Sequence, residues 1–86
     1  MEAKQWNVQI FISEEGDATS ARAVLSTGNG GRLTGDGHAK RNPADRPVAE
    51  IGDELAVARA LGDLADKLMA TTSQDIAAAA SSSRLW

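Results

Sequence analysis

The 86-residue chain has no cysteine and no tyrosine, one phenylalanine, one histidine and two tryptophans. Without cysteine there is no disulfide and no thiolate metal site, and nothing points to an oxidising compartment. A single histidine among scattered carboxylates lacks the clustered ligands of a zinc or calcium centre, so neither a metal nor another cofactor is expected. No apolar run approaches the roughly 20 residues of a membrane span. The opening Met-Glu-Ala-Lys-Gln-Trp also lacks the basic, then apolar, segment of a secretion signal. The expectation that remains is a soluble cytoplasmic protein.

What is present is one domain's worth of chain, expected to fold over residues 1–80 with residues 81–86 as a frayed tail. Its core must be thin. At about 25 cal/mol per Å² of buried apolar surface, against roughly 1.5 kcal/mol of ordering cost per residue, so short a chain comes out near zero. With disulfides and metals excluded, the expected support is a partner subunit. The net charge of −3 disfavours broad attraction to DNA or a membrane surface. That charge is uneven: residues 1–31 carry −2, residues 32–46 carry +2 and residues 47–86 carry −3. The middle is basic and the C-terminal half acidic.

The dominant pattern lies between Pro47 and Ser81. Ile51, Leu55, Ala58, Leu61, Leu64 and Leu68 recur at spacings of three and four, with Ala65 beside them and Ile76 two turns on, which predicts one long amphipathic helix. Before it, Trp6, Val8, Ile10 and Ile12 alternate with Asn7, Gln9 and Phe11, the period of a half-buried strand. Glu14-Glu15-Gly16-Asp17 reads as a tight turn into a second strand over Thr19–Ser26, with Ala21, Ala23 and Leu25 inward and Val24 outward. The Gly28, Gly30, Gly31 connector predicts a second hairpin with a loose tip, followed by a third strand over Leu33–Arg41. Gly35 and Gly37 in that strand imply a bulge or a close backbone approach by whatever packs above. Asn42-Pro43 and Pro47 end the strand, and Asp45 is placed to cap the helix. The expected fold is therefore α+β: a three-stranded antiparallel meander packed against one long C-terminal helix, in the order β-β-β-α. Its expected core is Trp6, Val8, Ile10, Ala23, Leu25, Leu55, Leu61 and Leu68.

A thirty-residue helix spans roughly 45 Å and an eight-residue strand about 26 Å, so one sheet cannot cover the helix. Either it breaks near Thr71–Ser73, with Ser73 capping a second helix, or its far end packs on another molecule. The candidate homodimer contacts are Phe11 and Val24 on the outer sheet face and Leu68, Met69 and Ile76 on the helix.

Candidate chemistry is sparse. His38 as an acid–base group has only Asp36 as a local companion, and an exposed strand residue is the plainer reading. Gly28-Asn29-Gly30-Gly31 lacks the lysine-plus-hydroxyl ending of a phosphate loop and opens no helix, so it reads as a hairpin loop. No catalytic residue is assigned, and the chain is not expected to be an enzyme. Arg32, His38, Lys40, Arg41 and Arg46 form the one basic segment suited to RNA, a ribosome or a protein partner.

The segment Leu33-Thr34-Gly35-Asp36-Gly37-His38-Ala39-Lys40-Arg41-Asn42-Pro43-Ala44-Asp45-Arg46, followed by Val48-Ala49-Glu50-Ile51-Gly52-Asp53-Glu54-Leu55-Ala56, resembles a family of short actinobacterial proteins of unknown function. That resemblance implies a fold like that of double-stranded RNA-binding domains, dimeric members, and relatives associated with hypoxia or dormancy. It also implies a likeness to ribosome hibernation factors. The function expected is that of a small non-enzymatic accessory protein, homodimeric and stress-related, acting by macromolecular binding, with RNA or ribosome binding as the alternative.

Overall fold

The structure, a computed structural model, describes residues 1–81. Three strands, β1 (Asn7–Glu15), β2 (Ala18–Ser26) and β3 (Arg32–Lys40), precede one helix, α1 (Ala49–Ser81). The strands form an antiparallel sheet in the order β1-β2-β3. Glu15 pairs with Ala18, so Gly16 and Asp17 alone make the first turn, and Gly16 takes the left-handed conformation at φ 59°. The second turn is tied rather than loose. Thr27 N donates to Gly31 O at 3.0 Å, and Asn29 Oδ1 accepts from the Thr27 hydroxyl at 2.6 Å and from Gly31 N at 3.2 Å.

Register sorts the residues into two faces, because residues paired across antiparallel strands point the same way. Val8, Leu25 and Leu33 share a row, then Ile10, Ala23 and Gly35, then Ile12, Ala21 and Gly37. This is the face that α1 crosses. The other face carries Phe11, Arg22 and Asp36 in one row and Ser13, Ser20 and His38 in the next.

The helix does not lie over the middle of the sheet. It packs on β2 and β3 and scarcely touches β1. Gly35 and Gly37 are the reason: a Cβ on Gly35 would strike Ala60 O and Leu64 N, and one on Gly37 would strike Ala56 O and Ala60 N. Backbone rests directly on backbone there. Ala56 and Ala60 are small enough for such an approach, and with Leu64 they are the buried helix residues, meeting Ala21, Ala23, Leu25 and Ala39 from the sheet. At the helix start, Gly52 lies against Thr19, where an added Cβ would sit 3.0 Å from Oγ1.

The core expected from the sequence is corrected accordingly. Ala23 and Leu25 are buried, but Trp6 (52% exposed), Val8 (47%), Ile10 (38%), Leu55 (41%) and Leu61 (41%) are not. Leu68 is only partly covered. Apart from Leu64, the large apolar residues of α1 do not face the sheet, because the close approach at Gly35 and Gly37 favours alanine.

The helix is unbroken through Thr71–Ser73. The Thr72 hydroxyl donates back to Leu68 O at 2.9 Å and the Ser73 hydroxyl to Met69 O at 3.0 Å, so these side chains fold onto their own helix instead of capping a new one. At the helix start Ile51 N donates to Val48 O at 3.2 Å, and the Asp45 carbonyl oxygen accepts from Arg41 at 2.6 Å. The molecule measures 58 × 26 × 19 Å, its length set by a helix that runs past the sheet. Among the described residues no helix is long and apolar enough to cross a membrane.

Candidate functional site

The basic segment is less available than its composition suggests. Arg41 is the anchor of the loop before α1. Its guanidinium donates to Asp17 Oδ1 through Nε (3.0 Å) and Nη2 (2.7 Å), and to Asp45 O through Nη1. His38 Nδ1 lies 3.2 Å from the Ser20 hydroxyl, while Asp36, its supposed companion, is paired with Arg22 at 2.8 Å. Arg32 and Lys40 sit at opposite ends of β3, about 27 Å apart along the strand. Arg46 stands in the loop beyond Lys40. Lys40 and Arg46 line, with the anchored Arg41, a cleft of about 740 Å³ between the Gly16 turn, the loop and the start of α1.

Glu14 lines that cleft and faces Asp53 from α1. A hydrogen bond shared with Asp53, then the like charge of that group, then desolvation hold the Glu14 carboxyl above its usual range. Asp53 Oδ1 is buried without a donor, which protonated Glu14 could supply.

The β3 edge is closed by the helix. Arg59 Nη1 donates to His38 O at 2.7 Å, Asp36 N donates to Asp63 Oδ2 at 2.9 Å, and Lys67 Nζ donates to Thr34 O at 2.9 Å. Three side chains one helical turn apart thus satisfy three of the strand's outward backbone groups, His38 O, Asp36 N and Thr34 O. The backbone N–H of Asp36, with Lys67 at 3.0 Å, holds the Asp63 carboxyl below its usual range. Sequence reading did not assign these roles, although the spacing of Arg59, Asp63 and Lys67 carries the signal.

At β1 the situation is reversed. Its outer edge has no strand partner among the described residues, and its helix-side residues Val8, Ile10 and Ile12 are exposed. Together with Leu61 and the partly covered Val57 and Leu68 on the adjoining flank of α1, they form an apolar trough. The proposed interface residues fall on three surfaces. Leu68 joins the trough, Phe11 and Val24 lie on the opposite sheet face, and Met69 and Ile76 lie on the side of α1 turned away from the sheet.

A family model described as Rv2632c-like matches residues 4–84. The uncharacterised protein Rv2632c of Mycobacterium tuberculosis (strain ATCC 25618 / H37Rv) is 51% identical over 75 residues, which cover 87% of this chain and 80% of that protein. The uncharacterised protein Mb1767 of Mycobacterium bovis is 47% identical, over 87% of this chain and 79% of that one. A crystal structure of Rv2632c superimposes with a TM-score of 0.83 at 48% identity, covering 92% of this chain and 93% of its own.

Proposed function

The chain belongs to the Rv2632c-like family; the relatives named above bring a fold but no activity, so its surface carries the functional reading, and we propose a non-enzymatic accessory protein that binds other macromolecules as a homodimer. The observation behind this is the apolar trough along β1. The chain exposes 6836 Å², whereas a compact monomer of its 9.0 kDa exposes about 4,900 Å². A standard interface removes about 800 Å² from each partner, well within that excess of roughly 2,000 Å². Part of the excess belongs to the helix end beyond the sheet. The exposed Val8, Ile10, Ile12 and Leu61 are apolar surface of the kind that marks an interaction site.

Melting at a series of chain concentrations tests this directly. Because assembly stabilises only the folded chain, the Tm of a homodimer rises with concentration. A Tm that is flat over three decades would contradict the reading. The binding role predicts a stoichiometric partner recovered from lysate after nuclease treatment.

RNA or ribosome contact through Lys40, Arg46 and Arg32 is the competing reading, and it draws on the basic segment alone. It predicts cosedimentation that weakens steeply with salt and disappears when Lys40 and Arg46 are neutralised. A stress or dormancy setting follows from the family resemblance and predicts that loss of the protein lowers survival under oxygen limitation while leaving growth unchanged.

A further inference from the structure

We infer that α1 of a second copy lies along β1, so that two sheets enclose a single layer of two parallel helices. This rests on the homodimer reading above and specifies how the copies fit. With α1 over β2 and β3 and strands about 4.8 Å apart, a second helix packed at the usual 8–10 Å from α1 stands over β1. The trough is one helix wide. Among the described residues the chain has one helix, already placed, so the helix that fills the trough comes from another molecule.

The character of α1 says which helix that is. At 100° per residue, Ile51 and Met69 lie half a turn round from the buried Ala60, and Leu55, Ala58 and Ile76 lie within about 40° of them. Ile51, Leu55, Met69 and Ile76 are all exposed. A helix at the surface of a monomer carries charge on that side. Here Arg59, Asp63 and Lys67 are gathered on the β3 side, where they bond to the strand edge. The mid-helix charges that remain are Asp66, about 60° from the outer midline, and Glu54, between that side and β1. Between Val57 and Met69 the flank toward β1 (Val57, Leu61, Leu68) and the outer side (Ala58, Gly62, Ala65, Met69) carry no charge, while Glu50 and Glu54 lie on the β1 flank in the first turns.

A two-fold axis running along the helices, midway between them, accounts for both surfaces. The rotation that lays the partner's helix on this β1 lays the outer side of this α1 on the partner's β1, an isologous arrangement. Because the axis follows the helices, they run parallel, and Leu61 and Leu68 meet their own counterparts. Phe11 and Val24, on the far face of the sheet, stay in water. Pairing of the two β1 edges does not achieve this, since it sets the helices about four strand spacings, roughly 19 Å, apart and leaves both apolar surfaces exposed.

The absence of cysteine makes the test clean. Leu61→Cys is expected to give a disulfide-linked dimer under mild oxidation, since residues facing each other across the axis reach bonding distance, while Val24→Cys is not. Ile10→Glu and Met69→Glu alter residues exposed in the single chain, so the fold should persist by circular dichroism while the mass falls to one chain. Val24→Glu should remain dimeric. A dimer that survives Met69→Glu, or that fails to cross-link through Leu61→Cys, overturns this packing and leaves the homodimer reading standing. An unmodified chain that is monomeric overturns both.

Discussion

Gly37 shows how far one residue sets the geometry. Its missing Cβ lets Ala56 and Ala60 of α1 rest on β3, and dispersion from that contact replaces the large apolar side chains the core lacks. Gly37→Ala forces the helix off the strand, with an expected cost of about 3 kcal/mol measured by urea unfolding. Glu14 gives a second residue-scale prediction. Its carboxyl is held above the usual range by Asp53, so the folded chain takes up a proton at a higher pH than the unfolded chain. The Glu14 contribution to stability therefore becomes more favourable as pH falls through the folded value and is least favourable at neutral pH, where its charge opposes Asp53. Glu14→Gln is expected to raise Tm at pH 7, and the gain should vanish below the ordinary carboxylate range. Both glycines of β3 were legible in the sequence as a close-approach signal, whereas the Glu14 and Asp53 contact, spanning nearly forty residues, was not.

Among the elements, β1 and β3 are both edge strands with opposite fates. The Arg59, Asp63 and Lys67 side chains bond to three outward groups of β3, whereas the outer edge of β1 has no strand partner among the described residues, and open edges are where sheets recruit further chains. The Asp36 amide should therefore be protected from hydrogen exchange, and Asp63→Ala should reduce it to the rate of a free edge. Asp63 is held below its usual range by that amide and Lys67, so its contribution is present above the ordinary carboxylate value and is lost as pH falls through the folded one. Strand alternation and the amphipathic helix could be read from periodicity, which depends on side-chain spacing alone, and both hairpins from their glycine-bearing turns, while the continuity of the helix through Thr71–Ser73 could not. Which row of α1 faces the sheet could not. Leu55, Leu61 and Leu68 have the larger side chains but lie on other flanks of the helix, and the row of Ala56, Ala60 and Leu64 is the one that fits against glycine. For the same reason Trp6, Val8 and Ile10 have the alternation of a buried strand and the exposure of a surface one.

At the scale of the whole molecule, the chain is a sheet of which only two strands are covered and a helix that is apolar on more sides than its own sheet can use. The basic segment divides among separate tasks, with Arg41 spent on the loop before α1, so the sign of its local charge overstated its value as a phosphate track. The apolar surface is continuous where the charge is not, and it is what the account rests on. Sedimentation equilibrium of the unmodified chain at decreasing concentration weighs that account most directly. The predicted result is twice the 9.0 kDa of one chain, held into the low micromolar range. A mass of one chain throughout, with the helix intact by circular dichroism, would contradict it.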